Sequence, residues 1–169
     1  GNEAASSLAG EGLNSLTSPG DTLALDPGFL IRTENTAERL PRFELWQPNA
    51  GDLKLDSIPE KTLADWQASE IAAGVPMLST ATSESYVPQM LNWQHLNGVH
   101  FKKGCYTGQE VIARLQFRGK LKKLMYSATL SLASLDGAKV SPGTSLYSSN
   151  GRSAGKLLCF VQQGSQLLL

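Results

Sequence analysis

Apolar and polar positions alternate in three short runs near the start of the chain. Thr-Leu-Ala-Leu-Asp at 22–26 and Phe-Leu-Ile-Arg-Thr at 29–33 flank Pro27 and Gly28, which predicts two strands joined by a tight turn. Phe-Glu-Leu-Trp-Gln at 43–47 alternates as well and predicts a third strand, ended by the turn chemistry of Pro-Asn-Ala-Gly-Asp at 48–52. The period then changes. Leu63 and Trp66 are three apart and Ile71 falls eight beyond Leu63, the spacing of one helical face. Thr62 opens this helix with Asp65 in its first turn, Gly74 closes it, and Pro76 follows.

Residues 76–100 show no strong period and carry Pro76, Pro88, Asn92, Asn97 and Gly98. An irregular segment of this length is often a binding loop. A second helix is expected from Thr107 through Leu115. Beyond it, residues 124–132 alternate as a strand, and turn residues at 141–143, 149–151 and 164–165 separate short apolar runs at 145–147, 157–161 and 167–169. Strands at that spacing predict a small antiparallel barrel. The fold class expected is α+β, with the composition changing near Gly119. Residues 1–20 then form an irregular lead-in, 21–118 an α+β region and 119–169 a partial barrel. The chain opens without Met on a Gly/Ala/Ser/Asn-rich stretch and closes on Gln-Leu-Leu-Leu at 166–169. That reads as a segment of a longer protein, leaving an unpaired strand edge at 167–169.

The most informative residues are Lys-Gly-Cys-Tyr-Thr-Gly-Gln-Glu at 103–110. Thr107 and Glu110 have capping-box spacing, in which the hydroxyl accepts from the backbone three residues on and the carboxylate reaches back. Cys105 then lies just outside a helix N-terminus, with Lys102 and Lys103 upstream. A helix N-terminus and nearby cations both favour a thiolate, so Cys105 is the candidate reactive group. The alternative is a small residue packed at a helix entrance.

Composition narrows the class without naming a function. With 41% hydrophobic and 18% charged residues, the chain reads as an ordinary globular protein. No apolar run is long enough to span a membrane and no signal-peptide pattern is present. The two cysteines, Cys105 and Cys159, lack CxxC or His-partner spacing, so neither zinc nor a disulfide framework is indicated and a cytoplasmic setting is expected. His95 and His100 do not make a helical metal pair, and neither a phosphate-binding Gly-rich loop nor a GxSxG elbow occurs. Net charge is zero, yet Lys102, Lys103, Arg114, Arg118, Lys120, Lys122 and Lys123 face only Glu110 within 102–123. That segment carries +6 and the remainder −6. A charge run is usually a solvated, salt-bridged surface; flanking the Cys signature, it is also a candidate for contact with an anionic ligand or RNA.

The octapeptide resembles the signature of the YgfZ-type folate-binding, tRNA-modifying proteins, relatives of the aminomethyltransferase (T-protein) of the glycine cleavage system. Trp66, Ala73-Gly74-Val75-Pro76, Val87-Pro88-Gln89, Asn92, Phe101-Lys102, Ala113-Arg114 and Phe117-Arg118-Gly119 fall in the same order as in that family. The resemblance implies a T-protein-like body around a folate pocket, with an N-terminal domain, a ferredoxin-like middle domain and a C-terminal barrel. This chain would hold much of the middle and the early barrel strands.

It also implies a folate site that includes Trp66, Lys103, Gly104, Tyr106, Gly108, Gln109, Glu110 and Arg114, with Cys105 and Trp66 in one cleft. An indole offers a flat face to a pterin or aminobenzoate ring; the competing role for Trp66 is packing on its own helix. Lys102, Arg114 and Arg118 suit the glutamate tail. The acid that many relatives carry before the Gly-x-Pro run falls here on Ala72, with Glu70 one turn from Trp66. The function implied is that of an accessory protein binding tetrahydrofolate or a one-carbon derivative and supporting iron–sulfur tRNA-modifying enzymes. The alternative is folate-dependent one-carbon transfer, as in the T-protein. The signature cysteine belongs to the accessory branch. A weaker option is direct RNA contact through 102–123.

Overall fold

Three strands form where the alternation over residues 22–47 predicts them. A computed structural model describes residues 1–49, 55, 58–135, 137 and 139–169. The chain divides into two units, Gly1–Ala73 and Gly74–Leu169, and each is described by itself. The turn expected at 48–52 lies partly outside the described residues.

In the first unit, β1 (Thr22–Leu25), β2 (Gly28–Thr33) and β3 (Arg42–Trp46) make an antiparallel sheet in chain order. Leu25 pairs with Gly28, so the connection is the two residues Asp26 and Pro27. Gly28 has φ +116°, and a Cβ there would stand 2.2 Å from the Trp46 carbonyl oxygen; only glycine lets β2 begin so close to β3. One sheet face carries Leu30, with Leu23, Leu25, Phe43 and Leu45 around it. Residues 1–20, expected to be irregular, instead supply the cover for that face. Helix α1 (Asn2–Ala9) runs into a 3-10 turn at Gly10–Ser15, and Ala5 and Leu16 are buried against Leu30. Ala5, Leu8 and Ala9 have helical spacing, and it is the tertiary burial that fixes so short a helix.

Helix α2 (Leu63–Ala72) begins as predicted. The Thr62 hydroxyl accepts from the Asp65 N–H at 3.2 Å, and the Asp65 carboxylate accepts from the Thr62 N–H at 2.9 Å. The two orphan donors are thus satisfied reciprocally. Ala68 and Ile71 form the buried stripe.

In the second unit, residues 76–100 are not featureless. They hold three short 3-10 helices, Thr80–Thr82, Pro88–Leu91 and Trp93–Leu96. Helix α3 (Gln109–Phe117) follows. The strand expected over 124–132 shrinks to β4 (Thr129–Ser131). The Met125 carbonyl is taken by the Asn92 side-chain amide at 2.9 Å rather than by a neighbouring strand. Strands β5 (Ser145–Tyr147) and β6 (Ser153–Lys156) pair in one hairpin. The run at 157–161 is split, with β7 (Val161–Gln163) beginning at its end and β8 (Gln166–Leu168) following.

The expected unpaired edge at 167–169 does not occur. β8 is the central strand of a β4-β8-β7 sheet, Leu167 is buried, and Leu169 exchanges two backbone hydrogen bonds with Ala128. An apolar strand finds its most favourable place between two neighbours, where its ladder groups are satisfied on both sides. The class is α+β with antiparallel sheets, and among the described residues no closed barrel forms. Among those residues no helix is long and apolar enough to cross a membrane.

Candidate functional site

Trp66 and the octapeptide belong to different units, and the surroundings of each are distinct. On α2, Trp66 is 37% exposed. Arg42 of β3 reaches across with its guanidinium carbon 4.6 Å from the Trp66 ring centre. Arg42 is 6% exposed and fully engaged. Its Nε donates to Ser69 Oγ at 3.1 Å, one Nη to the Glu34 carbonyl at 3.2 Å, and the other to the Glu70 carboxylate. Ser69 in turn donates to the Trp66 carbonyl at 2.7 Å. The indole is therefore both packed and partly open, with one contact a cation–π pair. Glu70, near the relatives' acidic position, is committed to Arg42.

In the second unit, a cavity of about 170 Å³ opens at the signature. Phe101, Tyr106 and Phe117 give it an aromatic wall, and His100, Lys103, Gln109 and Glu110 supply polar groups. Phe101 and Phe117 meet edge to face, centroids 5.9 Å apart, and Lys103 Nζ sits 4.4 Å from the Tyr106 ring centre. Typical small-molecule sites run from roughly 300 Å³ upward. At about 170 Å³ this cavity falls below that range.

The start of α3 differs from the expectation. Gly108, at φ +85°, is the N-cap residue, and no side chain caps the helix. A left-handed residue that glycine adopts without strain carries the chain one step further before the helix begins. Gln109 and Glu110 become its first two residues, and no Thr107–Glu110 box forms. The Gln109 carboxamide oxygen instead accepts from the Tyr106 N–H at 3.3 Å. Cys105 lies four residues before the first helical one and is exposed, whereas dipole effects fade within the first turn. The cavity wall includes Lys103 and Tyr106 but not Cys105 itself. Gly104, Gly108 and Arg114 also stand outside the wall. Cys159 is half-buried, and burial pushes its thiol above the ordinary value of 9.0, partly offset by a backbone hydrogen bond at Met77.

Three positioning residues carry no local signature. Arg42 joins β3 to α2. Gln89, 1% exposed, donates from Nε2 to the Ile112 carbonyl at 2.7 Å and so fixes α3. Asn92 holds Met125. For Gln89 and Asn92 the only sequence signal is their place in the resemblance; for Arg42 there is none.

The site is that of an α+β chain with a small, partly polar cavity beside an exposed thiol. No protein-family model matches the chain. It is 47% identical over 70 residues to a curated relative, the tRNA-modifying protein YgfZ of Colwellia psychrerythraea strain 34H. The match covers 41% of this chain and 22% of that relative's length. The resemblance carried by the octapeptide is thus supported by a curated relative, and the chain is YgfZ-like over the matched residues.

Proposed function

We propose that this chain takes part in tRNA modification as a folate-binding accessory protein that supports iron–sulfur modifying enzymes. The observation that carries the reading is the 47% identity to a protein named as tRNA-modifying. The residues at the signature suit one ring of a reduced folate. Tyr106, Phe101 and Phe117 offer aromatic surface, and planar rings prefer such offset or edge contacts. Glu110 lines the same cavity and, among the described residues, its carboxylate makes no hydrogen bond or ion pair. An unengaged carboxylate accepts hydrogen bonds from the amino and N–H groups of a pterin. Lys103, held by Tyr106, suits a folate carboxylate. Cys105 is the more exposed of the two thiols.

The test is made in cells of the source organism. Nucleosides from total tRNA are measured by mass spectrometry after deletion of this coding sequence and after its restoration with Cys105→Ser or Glu110→Ala. The reading expects a fall in at least one modified nucleoside on deletion and incomplete recovery with either variant. An unchanged nucleoside profile on deletion contradicts it.

A further inference from the structure

Between α3 and β4 the chain runs for eleven residues, 118–128, without regular secondary structure. This strap holds Arg118, Lys120, Lys122 and Lys123, all exposed. A charged surface run is ordinarily neutralised by neighbouring acids, but here, among the described residues, none of the four forms an ion pair. Two aromatic rings flank these cations. Phe117 is 71% exposed and Tyr126 is 79% exposed, though Phe is normally among the most buried residues and Tyr of intermediate burial.

Tyr126 is not loose. The preceding carbonyl, that of Met125, accepts from the Asn92 amide, and Ala128, two residues on, is paired in both directions with Leu169. The other end of the strap is tied to α3 by the Arg118 N–H donating to the Arg114 carbonyl at 2.9 Å. The fold therefore displays an open ring at each end of an unpaired cationic strap, at positions its own backbone bonds define.

We propose that residues 117–126 form a binding surface for single-stranded nucleic acid, with Arg118, Lys120, Lys122 and Lys123 meeting phosphates and Phe117 and Tyr126 stacking on bases. Cations alone suit any polyanion. Exposed rings beside them add an affinity for planar bases that an acidic peptide cannot satisfy, because each base offers a π-face. RNA is the chosen partner, and a polyacidic protein segment is the competing outcome. The surface shares Phe117 with the wall of the signature cavity. The test contains no folate and its deciding variants lie at Lys120, Lys122, Lys123 and Tyr126, so it stands or falls apart from the folate reading.

The full chain is titrated into a fluorescein-labelled, unstructured RNA of roughly ten nucleotides, with anisotropy read over a series of salt concentrations. Neutralising four phosphates predicts a log–log salt slope of about −3 for a single strand. Lys120→Ala/Lys122→Ala/Lys123→Ala should flatten that slope by about 2. Tyr126→Ala should weaken binding about tenfold at constant salt with the slope unchanged, a split that general charge attraction does not produce. Circular dichroism confirms that the variants fold. Absence of RNA binding overturns the proposal. So does equal affinity for poly-glutamate, or a Tyr126→Ala protein that binds like the parent.

Discussion

The Arg42 guanidinium rests 4.6 Å from the Trp66 ring centre while bonding to Glu70 of the same helix. One side chain from β3 thus holds both the indole and the nearest acid of α2. Arg42 and Glu70 are largely buried, at 6% and 16% of side-chain exposure. Removing one partner of such a pair leaves the other charge without compensation, at a cost of about 3–5 kcal/mol. Arg42→Ala should therefore destabilise the protein by about 3 kcal/mol in urea unfolding. Arg42→Met combined with Glu70→Leu should recover part of that loss, because no charge is then stranded. A double variant less stable than Arg42→Ala would contradict this account.

The two thiols should separate cleanly in reactivity. Cys105 is exposed, while Cys159 is half-buried with its thiol pushed up by burial. Only the thiolate alkylates. Iodoacetamide near neutral pH, followed by peptide mass spectrometry, should modify Cys105 first and Cys159 slowly until the pH rises above 9.0. Equal rates at neutral pH would contradict the assignment.

The cap of α2 should make stability sensitive to acid. The Thr62 backbone N–H, then the Thr62 hydroxyl, then Lys61 hold the Asp65 carboxyl below its ordinary value of 3.8. A carboxyl depressed in the folded state gives stability that is complete above the unfolded value and lost as pH falls through the folded one. The urea midpoint should therefore drop as the pH falls below 3.8, and Asp65→Ala should shrink that drop. Thr62→Ala should cost about 1 kcal/mol at neutral pH. A pH response identical in Asp65→Ala and the parent would remove Asp65 from the explanation.

Gly28 should tolerate no side chain. Its φ is +116° and the Trp46 carbonyl oxygen stands 2.2 Å from the Cβ that alanine would add. Gly28→Ala must displace β3 or the turn, and a clear fall in melting temperature is expected by circular dichroism. An unchanged melting temperature would show that the β2–β3 approach yields freely.

Features set by neighbours in sequence were legible in it. The Thr62–Asp65 cap and the β1–β2 hairpin each depend on residues within a few positions of one another, and both formed as expected. Features set by distant partners were not. Nothing near Leu167 reveals that β8 is flanked by β4 from 129–131, and nothing near Met125 reveals that Asn92, 33 residues away, takes its carbonyl. The lead-in was misread because α1 owes its stability to burial of Ala5 beneath the sheet, which the Gly-, Ala-, Ser- and Asn-rich composition of residues 1–18 does not reveal. In the candidate site, the octapeptide drew attention to Lys103, Tyr106, Gln109 and Glu110, and these four residues line one cavity. Its capping detail failed at one residue, since Gly108 and not Thr107 sets where α3 begins.

The most direct test of the account is calorimetric titration of a reduced folate into the full chain, compared with Tyr106→Ala and Glu110→Ala proteins. Loss of a stacking face is worth on the order of 1 kcal/mol beyond the buried area, and loss of a charged hydrogen-bond acceptor about 1.5–3 kcal/mol. The account predicts saturable binding to the parent, weakened about fivefold or more by Tyr106→Ala and more than tenfold by Glu110→Ala, with both variants folded. No binding to the parent, or binding unaltered by Tyr106→Ala and Glu110→Ala, would contradict it.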